Sequence, residues 1–172
     1  MTSDEHPLVA LARSAITLYI RESRVLPATG DLRELGEIKA GAFVSLHRNE
    51  QLRGCIGTIS NVYGNLEREV IHNAISAATR DPRFMPLQAS ELDDLAISVD
   101  VLGQPERVAG LEDLDPRQYG VIVERGNRRG LLLPDLEGVD TAQQQVEIAL
   151  RKAGIGAYQS YTLSRFRVDR YH

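Results

Sequence analysis

The stretch Leu52-Arg53-Gly54-Cys55-Ile56-Gly57-Thr58 organises the predicted fold, and it contains the single cysteine of this 172-residue chain. It follows a second strand-like run, Gly41-Ala42-Phe43-Val44-Ser45-Leu46-His47. The polar residues Arg48-Asn49-Glu50 separate the two runs. Two runs of this kind around a short polar turn predict a β-hairpin.

The apolar pattern predicts the register of this hairpin. Side chains alternate between the two faces of a strand, so a loop formed by residues 48–50 brings the apolar sets of both runs to one face. Leu46 then lies opposite Leu52, and Ala42 lies opposite Ile56. The other face carries Phe43, Ser45, His47, Arg53 and Cys55.

Cys55 has two interpretations. Arg53 lies two residues away on the same predicted face, about 7 Å along a strand, and a nearby cation favours the reactive thiolate. Gly54 and Gly57 leave space where a ligand or another backbone comes close. A lone cysteine is also typical of a buried residue that acts as a small hydrophobe. The residues alone leave both interpretations open.

The composition narrows the class of protein. Twenty lysines and arginines against 24 aspartates and glutamates give a net charge of −4, without the basic surface expected of a nucleic-acid-binding protein. No apolar run approaches the ~20 residues that span a bilayer, and the acidic N-terminus is unlike a signal peptide. The four histidines show no i,i+4 pairing, so no metal site is predicted. We therefore expect a soluble, cytoplasmic protein that binds neither nucleic acid nor membrane.

A helix predicted over residues 65–80 supplies further candidate site residues. Glu69 and Asn73 lie along one edge of its apolar stripe. The helix ends at Asp81, because the residue before a proline is pushed out of the helical region. Asp81 and Arg83 then lie in a turn after a packed helix, where polar groups are often presented. The alternative is that Asp-Pro-Arg simply terminates the helix.

His47 cannot activate Cys55 in this hairpin. The two lie about four residues apart along it, about 14 Å at the rise of a strand, whereas a base and its nucleophile need roughly 3 Å. Any base must come from elsewhere, and Glu69, Asn73 and Asp81 are the nearest candidates in sequence.

A second hairpin pattern indicates an internal repeat. Residues 120–125, a turn at 126–128 and residues 129–133 resemble the first hairpin, and each hairpin precedes a predicted helix. The second of these helices is predicted over residues 141–153, with Thr141 as its N-cap and Gly154 closing it. The repeat covers about residues 41–80 and 120–154, within a single domain of residues 1–172 that has room for two lobes. Leu131 stands where Cys55 stands in the first copy. A hydrophobic residue can therefore fill that position, so packing does not require a sulfur atom there. This favours a functional role for Cys55.

The cysteine stretch resembles the AMMECR domain family, known in prokaryotes as protein A of the AmmeMemoRadiSam system. Further resemblances follow in order along nearly the whole chain, at residues 41–44, 73–74, 81–84, 120, 129–134 and 152–154. The chain departs from the family at Asp100, where relatives more often have serine. It also lacks a cysteine common near Lys152, which argues against a mechanism that needs a second thiol.

The resemblance implies a fold and partners. The fold is α+β, with two strand-hairpin-helix repeats forming a barrel-like, mainly antiparallel sheet flanked by helices. The implied partners are a Memo-type protein and a radical-SAM enzyme in a shared modification or redox pathway. No cofactor is identified.

Two hypotheses for function follow. In the first, Cys55 is the catalytic nucleophile or covalent acceptor of an enzyme. The binding residues around it would be Arg53, Gly54, Gly57, Asn73, Asp81 and Arg83. In the second, the same surface is a non-catalytic module that binds a protein or a small anion, and Cys55 is only well packed.

Overall fold

The computed structural model describes residues 4–172, except that the burial of residue 36 is left undescribed. Within residues 4–172, four α-helices and eight β-strands follow one another. They are α1 (Pro7–Glu22), α2 (Glu34–Glu37), β1 (Ala42–Arg48), β2 (Gln51–Gly57), α3 (Leu66–Thr79), β3 (Ala96–Leu102), β4 (Glu106–Val108), β5 (Gly120–Arg125), β6 (Arg128–Leu132), α4 (Ala142–Ala153), β7 (Thr162–Phe166) and β8 (Val168–Tyr171). Short 3-10 turns lie at Ala89–Asp94 and Leu111–Asp113.

The first compact unit contains the residues up to Leu102 together with Asp169–His172. Its sheet has the strand order β2-β1-β3-β8. Helices α1 and α3 pack together, and both contact the strands. Val44, Leu46 and Val99 are fully buried with the apolar stripes of the two helices. One face of this sheet therefore forms the core of the unit.

The hairpin β1–β2 forms, but its predicted register is wrong. The loop has two residues, Asn49 and Glu50, and both adopt the positive φ that a type I′ turn requires. The pairing shifts after Leu46↔Gly54, so that Arg53 is the extra residue of a β-bulge. The bulge shifts the alternation of faces along β2 by one residue. Gly54 therefore lies on the core face of the hairpin together with Leu46. Leu52 pairs with His47 and is exposed.

The second compact unit spans Gly103–Val168. Its sheet has the strand order β4-β7-β5-β6, and α4 packs on β5 and β6. Thr141 caps α4 through the capping box that it forms with Gln144, and Gly154 ends the helix in the left-handed conformation. Both caps were predicted from the sequence.

The two units contain the same order of elements. In each, a two-stranded hairpin is followed by a helix and then by a strand that pairs with the first strand of the hairpin. Gly54 and Gly130 occupy the same place in these hairpins. A Cβ at either position would overlap a helix carbonyl oxygen, that of Ala77 or that of Ala149. Glycine therefore lets the strand approach the helix backbone in both units.

The barrel-like sheet is not confirmed. Over residues 4–172 the strands form two separate four-stranded antiparallel sheets rather than one closed sheet. The sequence predicts a final strand over residues 161–168, which corresponds to β7 in the second sheet, whereas β8 in the first sheet was not predicted. Strand β4, which follows Pro105, has three residues and is too short to show an alternating pattern in the sequence. The α+β class itself is confirmed.

Within residues 4–172, no helix has both the length and the apolar character needed to cross a membrane. The sequence predicts a helix over residues 7–23 that is capped by Ser3 or Asp4, and Ser3 lies outside the described residues. Helix α1 covers Pro7–Glu22, and its N-cap is His6, whose Nδ1 accepts the N–H of Leu8 at 3.2 Å.

Candidate functional site

Cys55 lies on β2, opposite Ser45 of β1. Its backbone N–H donates to Asp81 at 3.0 Å and its carbonyl oxygen lies 3.5 Å from Nη2 of Arg83, so both groups point away from β1. Cys55 and Ser45 are therefore a non-hydrogen-bonded pair, the kind whose side chains lie closest. The Cys55 sulfur is 3.2 Å from the Ser45 hydroxyl oxygen. The site thus carries a thiol and a hydroxyl in contact on a half-buried surface.

Asp81 joins this strand to the turn that follows α3. One carboxylate oxygen accepts the Cys55 N–H, and the pair of oxygens accepts the Nε and Nη2 of Arg83 at 3.0 and 2.7 Å. A further bond comes from the backbone N–H of Arg83. The Asp81 carboxylate therefore connects the turn after α3 to strand β2 of the hairpin.

The ionised form of Asp81 is strongly favoured. The side-chain bonds from Arg83 lower the pKa of Asp81 far below its ordinary value, and these bonds outweigh the opposing effect of burial. Only 2% of the Asp81 side chain is exposed, against 56% for Arg83. A carboxylate that is already bonded to four donors is a poor base. Asp81 is a positioning residue for Arg83 and for the Cys55 backbone.

The predicted effect of Arg53 on Cys55 is not found. The guanidinium of Arg53 forms a two-bond ion pair with Glu91, at 2.9 and 3.1 Å. The bulge changes the predicted alternation of faces at Arg53, and Arg83 is the cation whose charge acts on the Cys55 thiol. Phe84 lies between the two arginines, with its ring centroid 6.0 Å from Arg53 and 5.4 Å from Arg83.

The thiol form of Cys55 is favoured over the thiolate. Burial raises the pKa of Cys55 above its ordinary value. The bond with Ser45 and the charge of Arg83 lower it, while Asp100 and Asp81 raise it, and the net shift is upward. The sequence left the reactive thiolate and the buried thiol open as alternatives, and this direction of the pKa shift favours the buried thiol.

Asn73 and Glu69 hold the far end of the hairpin. Asn73 donates to the carbonyl oxygen of Ala42 at 2.9 Å and to the Thr58 hydroxyl at 3.1 Å. The buried carboxylate of Glu69 accepts from the Thr58 hydroxyl and from the backbone N–H groups of Val62 and Tyr63. The side chains of Asn73 and Glu69 are occupied by these hydrogen bonds, and neither residue bonds to the Cys55 sulfur. Both residues have a structural role, since they connect α3 to the end of the hairpin.

The space beside Gly54 and Gly57 is already filled. The Ala77 carbonyl occupies the space beside Gly54, and the Phe43 ring covers Gly57. The backbone approach that the sequence predicted is present, whereas the space for a ligand at these two glycines is not. The ligand-accessible part of the site is therefore Cys55, Ser45 and Arg83.

Sequence reasoning missed three residues of this region. Ser45 was placed on the right face, but its pairing with Cys55 depends on the bulge. Glu91 comes from a 3-10 turn 38 residues after Arg53, and no sequence signal links the two. Asp100 was noticed only as a departure from the family. It is buried and forms a two-bond ion pair with Arg170, at 2.7 and 2.9 Å.

The described part of the chain contains no group of three or more His, Cys, Asp or Glu side chains placed to hold a metal ion. The site therefore offers a thiol, a hydroxyl and a guanidinium as its chemical groups. Two antiparallel sheets with a helix on each hairpin, and a cysteine facing a serine across one hairpin, define an α+β protein with a half-buried thiol site.

This chain belongs to the AMMECR1 family, whose model matches residues 9–172. A protein of Thermotoga maritima is 49% identical over 170 residues, covering 97% of this chain and 98% of that protein. A protein of Clostridium acetobutylicum is 46% identical over 98% of this chain, which spans only 36% of that longer protein. The crystal structure of an uncharacterized protein from Pyrococcus horikoshii has the same fold. Its TM-score is 0.87 at 32% identity, covering 95% of this chain and 88% of the other.

Proposed function

We propose that the surface formed by Ser45, Cys55 and Arg83 is a recognition site for an anionic group, carried by a partner protein or a small molecule. The observation that supports this most is the double role of Asp81. It fixes the Arg83 guanidinium and the Cys55 backbone in one rigid arrangement. Preorganised donors bind a ligand with less loss of conformational entropy than mobile ones do.

Arg83 is suited to bind an anion even though it is paired. The ion pair with Asp81 uses Nε and Nη2, so the remaining edge of the guanidinium points outward. More than half of the side chain is exposed. Arginine presents five N–H donors in a planar fork that matches carboxylate and phosphate groups. The thiol and the hydroxyl are bonded to each other, so together they leave one weaker donor for a ligand beside the guanidinium.

The raised pKa of Cys55 favours recognition over nucleophilic catalysis. Nucleophilic cysteines act as thiolates, and they are activated by a lowered pKa or by an adjacent base. Here the only side chain bonded to the sulfur is the Ser45 hydroxyl, among the residues that the structure describes. In this account Cys55 is a neutral donor at the site.

An anion titration tests this proposal. Inorganic phosphate is added to the labelled full-length protein, and the backbone amide signals of Cys55 and Arg83 are followed by NMR. We expect saturable shifts at both positions. Arg83→Gln should weaken binding about fivefold, the loss of one exposed charge contact. Arg80→Gln is the matched control, because Arg80 is exposed and lies three residues from Arg83, and its substitution removes the same charge.

Two outcomes would overturn the proposal. One is an equal phosphate affinity for wild type and Arg83→Gln. The other is the complete loss of binding in Cys55→Ser, which keeps a donor at the position and should bind as wild type does. Because Arg83→Gln leaves Asp81 without its partner, Arg83→Lys is measured beside it. That variant keeps the positive charge but loses the planar fork, so it should bind with intermediate affinity.

A thiol reaction at Cys55 is the second candidate, and the Ser45 contact with the sulfur favours it. The hydroxyl and Arg83 both stabilise a thiolate. A partner that supplies a base could use this arrangement. The Memo-type protein and the radical-SAM enzyme implied by the family resemblance are the partners to test. The mass of the Cys55-containing peptide is measured after incubation with both proteins, and an unchanged mass would argue against this candidate.

A further inference from the structure

A surface cavity of about 330 Å³ lies in the second unit, at the point where β7 extends past the end of β4. The β4–β7 pairing ends at Val108↔Leu163, while β7 continues one residue further against β5. The chain after β4 turns away through a 3-10 turn. The cavity fills the notch that is left between the two strands. Its volume is at the lower end of the range for small-molecule sites, about 300–1,000 Å³.

One wall of the cavity is apolar and open to solvent. Among its lining residues, Val108 and Leu163 are the less exposed apolar ones, and Leu111 and Tyr161 are the more exposed ones, here called its rim. Leu111 is 42% exposed and Tyr161 is 36% exposed, two of the large hydrophobic side chains that remain uncovered in this unit. Exposed apolar groups that converge on a concave site favour the binding of an apolar group.

Two opposite charges flank the same cavity. Arg107 is one of its lining residues. The Glu112 carboxylate lies against Gly110, another lining residue, with an oxygen 2.7 Å from the position that a Cβ would take there. In the described part of the unit neither side chain takes part in an ion pair, whereas the adjacent Glu106 is paired with Arg165. The Asp113 carboxylate is a second anion at this place, and it accepts the backbone N–H of the lining residue Ala109 at 3.3 Å. Among the described residues, Arg107 and Glu112 are the cation and the anion beside the cavity whose charged groups have no bonding partner.

We propose that this cavity binds an apolar α-amino acid. The carboxylate would contact Arg107, the ammonium group would contact Glu112, and the side chain would lie against Leu111 and Tyr161. A zwitterion is the ligand class that satisfies both charges at once, and an apolar side chain is the part that the rim covers. This inference goes beyond the recognition proposed for the Cys55 surface, because every residue in it belongs to the second unit.

Three ligands that differ by one charge test the inference. Leucine carries both charges, 4-methylpentanoate lacks the ammonium group, and leucinamide lacks the carboxylate. Each is titrated into the labelled full-length protein while the amide signals of Arg107, Leu111 and Thr162 are followed by NMR. We expect millimolar binding of leucine and about fivefold weaker binding of each analogue, the effect of one exposed charge contact.

Variants assign each charge to its side chain. Arg107→Gln should weaken leucine about fivefold and leave leucinamide unchanged, and Glu112→Gln should weaken leucine and leave 4-methylpentanoate unchanged. Arg117→Gln and Glu137→Gln are the controls, since both residues are exposed in the same unit and outside the cavity. The inference fails if leucine gives no saturable shifts, or if all three ligands bind equally well. Phosphate binding at Arg83 is expected to be unchanged in every variant, so the two proposals fail separately.

Discussion

The carboxylate of Asp81 accepts the backbone N–H of Cys55 at 3.0 Å, across 26 residues of sequence. The same carboxylate holds the Arg83 guanidinium at 2.7 Å. Cys55 lies on β2, the edge strand of the first sheet, and its outward N–H would otherwise need water. A single buried side chain thus satisfies the strand edge and positions the cation of the site.

Removal of Asp81 should destabilise the protein. Asp81→Ala leaves the Cys55 N–H and the Arg83 fork without their acceptor, and a lost buried partner costs about 1–3 kcal/mol. The free energy of unfolding is measured by urea denaturation. Asp93→Ala is the control, because Asp93 is exposed and has no ion pair among the described residues. If Asp81→Ala lowers the free energy of unfolding no more than Asp93→Ala does, the hydrogen bonds of Asp81 do not stabilise the fold.

Protonation of Asp81 should lower the free energy of unfolding in acid. The pKa of Asp81 is lower in the folded protein than its ordinary value of 3.8. Its contribution is therefore complete above that pH and is lost as the pH falls toward the folded pKa. Glu91, whose pKa Arg53 lowers, acts in the same direction. Unfolding free energies measured from pH 5 downward, roughly the start of this window, should decline less steeply in Asp81→Asn than in wild type. Parallel curves would contradict this prediction.

His6 should give a second, milder pH dependence. Its Nδ1 accepts the Leu8 N–H at the start of α1, which requires that this nitrogen carry no proton. Burial lowers the pKa of His6 below 6.5, so protonation of the unfolded chain draws the equilibrium away from the fold as the pH drops below that value. His6→Asn keeps a capping side chain and does not titrate. Thermal melts at pH 7 and pH 5.5, on either side of the ordinary value of about 6.5, should differ less in this variant than in wild type.

The result for His6 has a clear alternative outcome. If wild type and His6→Asn lose the same stability over that interval, the pH dependence arises from another group. The stacking of His6 on Tyr171, with ring centroids 3.9 Å apart, would then be the main contribution of His6 to the stability of the fold.

Gly54→Ala should be strongly destabilising. A Cβ at this position overlaps the carbonyl oxygen of Ala77, which is backbone and cannot rotate away. Overpacking of this kind typically costs about 1–3 kcal/mol. Gly156→Ala is the matched control, because its Cβ would meet only the side chain of Gln159 at ordinary contact distance. Equal urea midpoints for the two variants would show that α3 can move away from the hairpin.

Local patterns predicted much of the fold. The capping residues of α4, the helix before Asp81 and the existence of both hairpins follow from spacing and turn chemistry. The register of β1–β2 did not follow, because the bulge at Arg53 adds a residue that alternation cannot reveal. Strand β8, which pairs in the first sheet while β7 pairs in the second, was not predicted, because its place depends on tertiary pairing that no local pattern encodes.

The candidate site was predicted less well than the fold. Cys55, Asp81 and Arg83 were all identified, and the structure brings them together. Arg53 was assigned to the wrong partner, since Glu91 approaches only through the 3-10 turn that precedes β3. The sequence could not decide the direction of the Cys55 pKa shift, because that direction depends mainly on burial, which cannot be seen in the sequence.

The measurement that tests the central claim most directly is the pH dependence of Cys55 alkylation by iodoacetamide in the folded protein. The thiolate is the form that reacts, so the rate follows its fraction. A neutral thiol in a recognition site predicts a midpoint above the ordinary cysteine value of 9.0 and slower reaction than in the urea-unfolded chain. A midpoint below that value would show an activated thiolate. It would contradict the recognition account and favour thiol chemistry at Cys55.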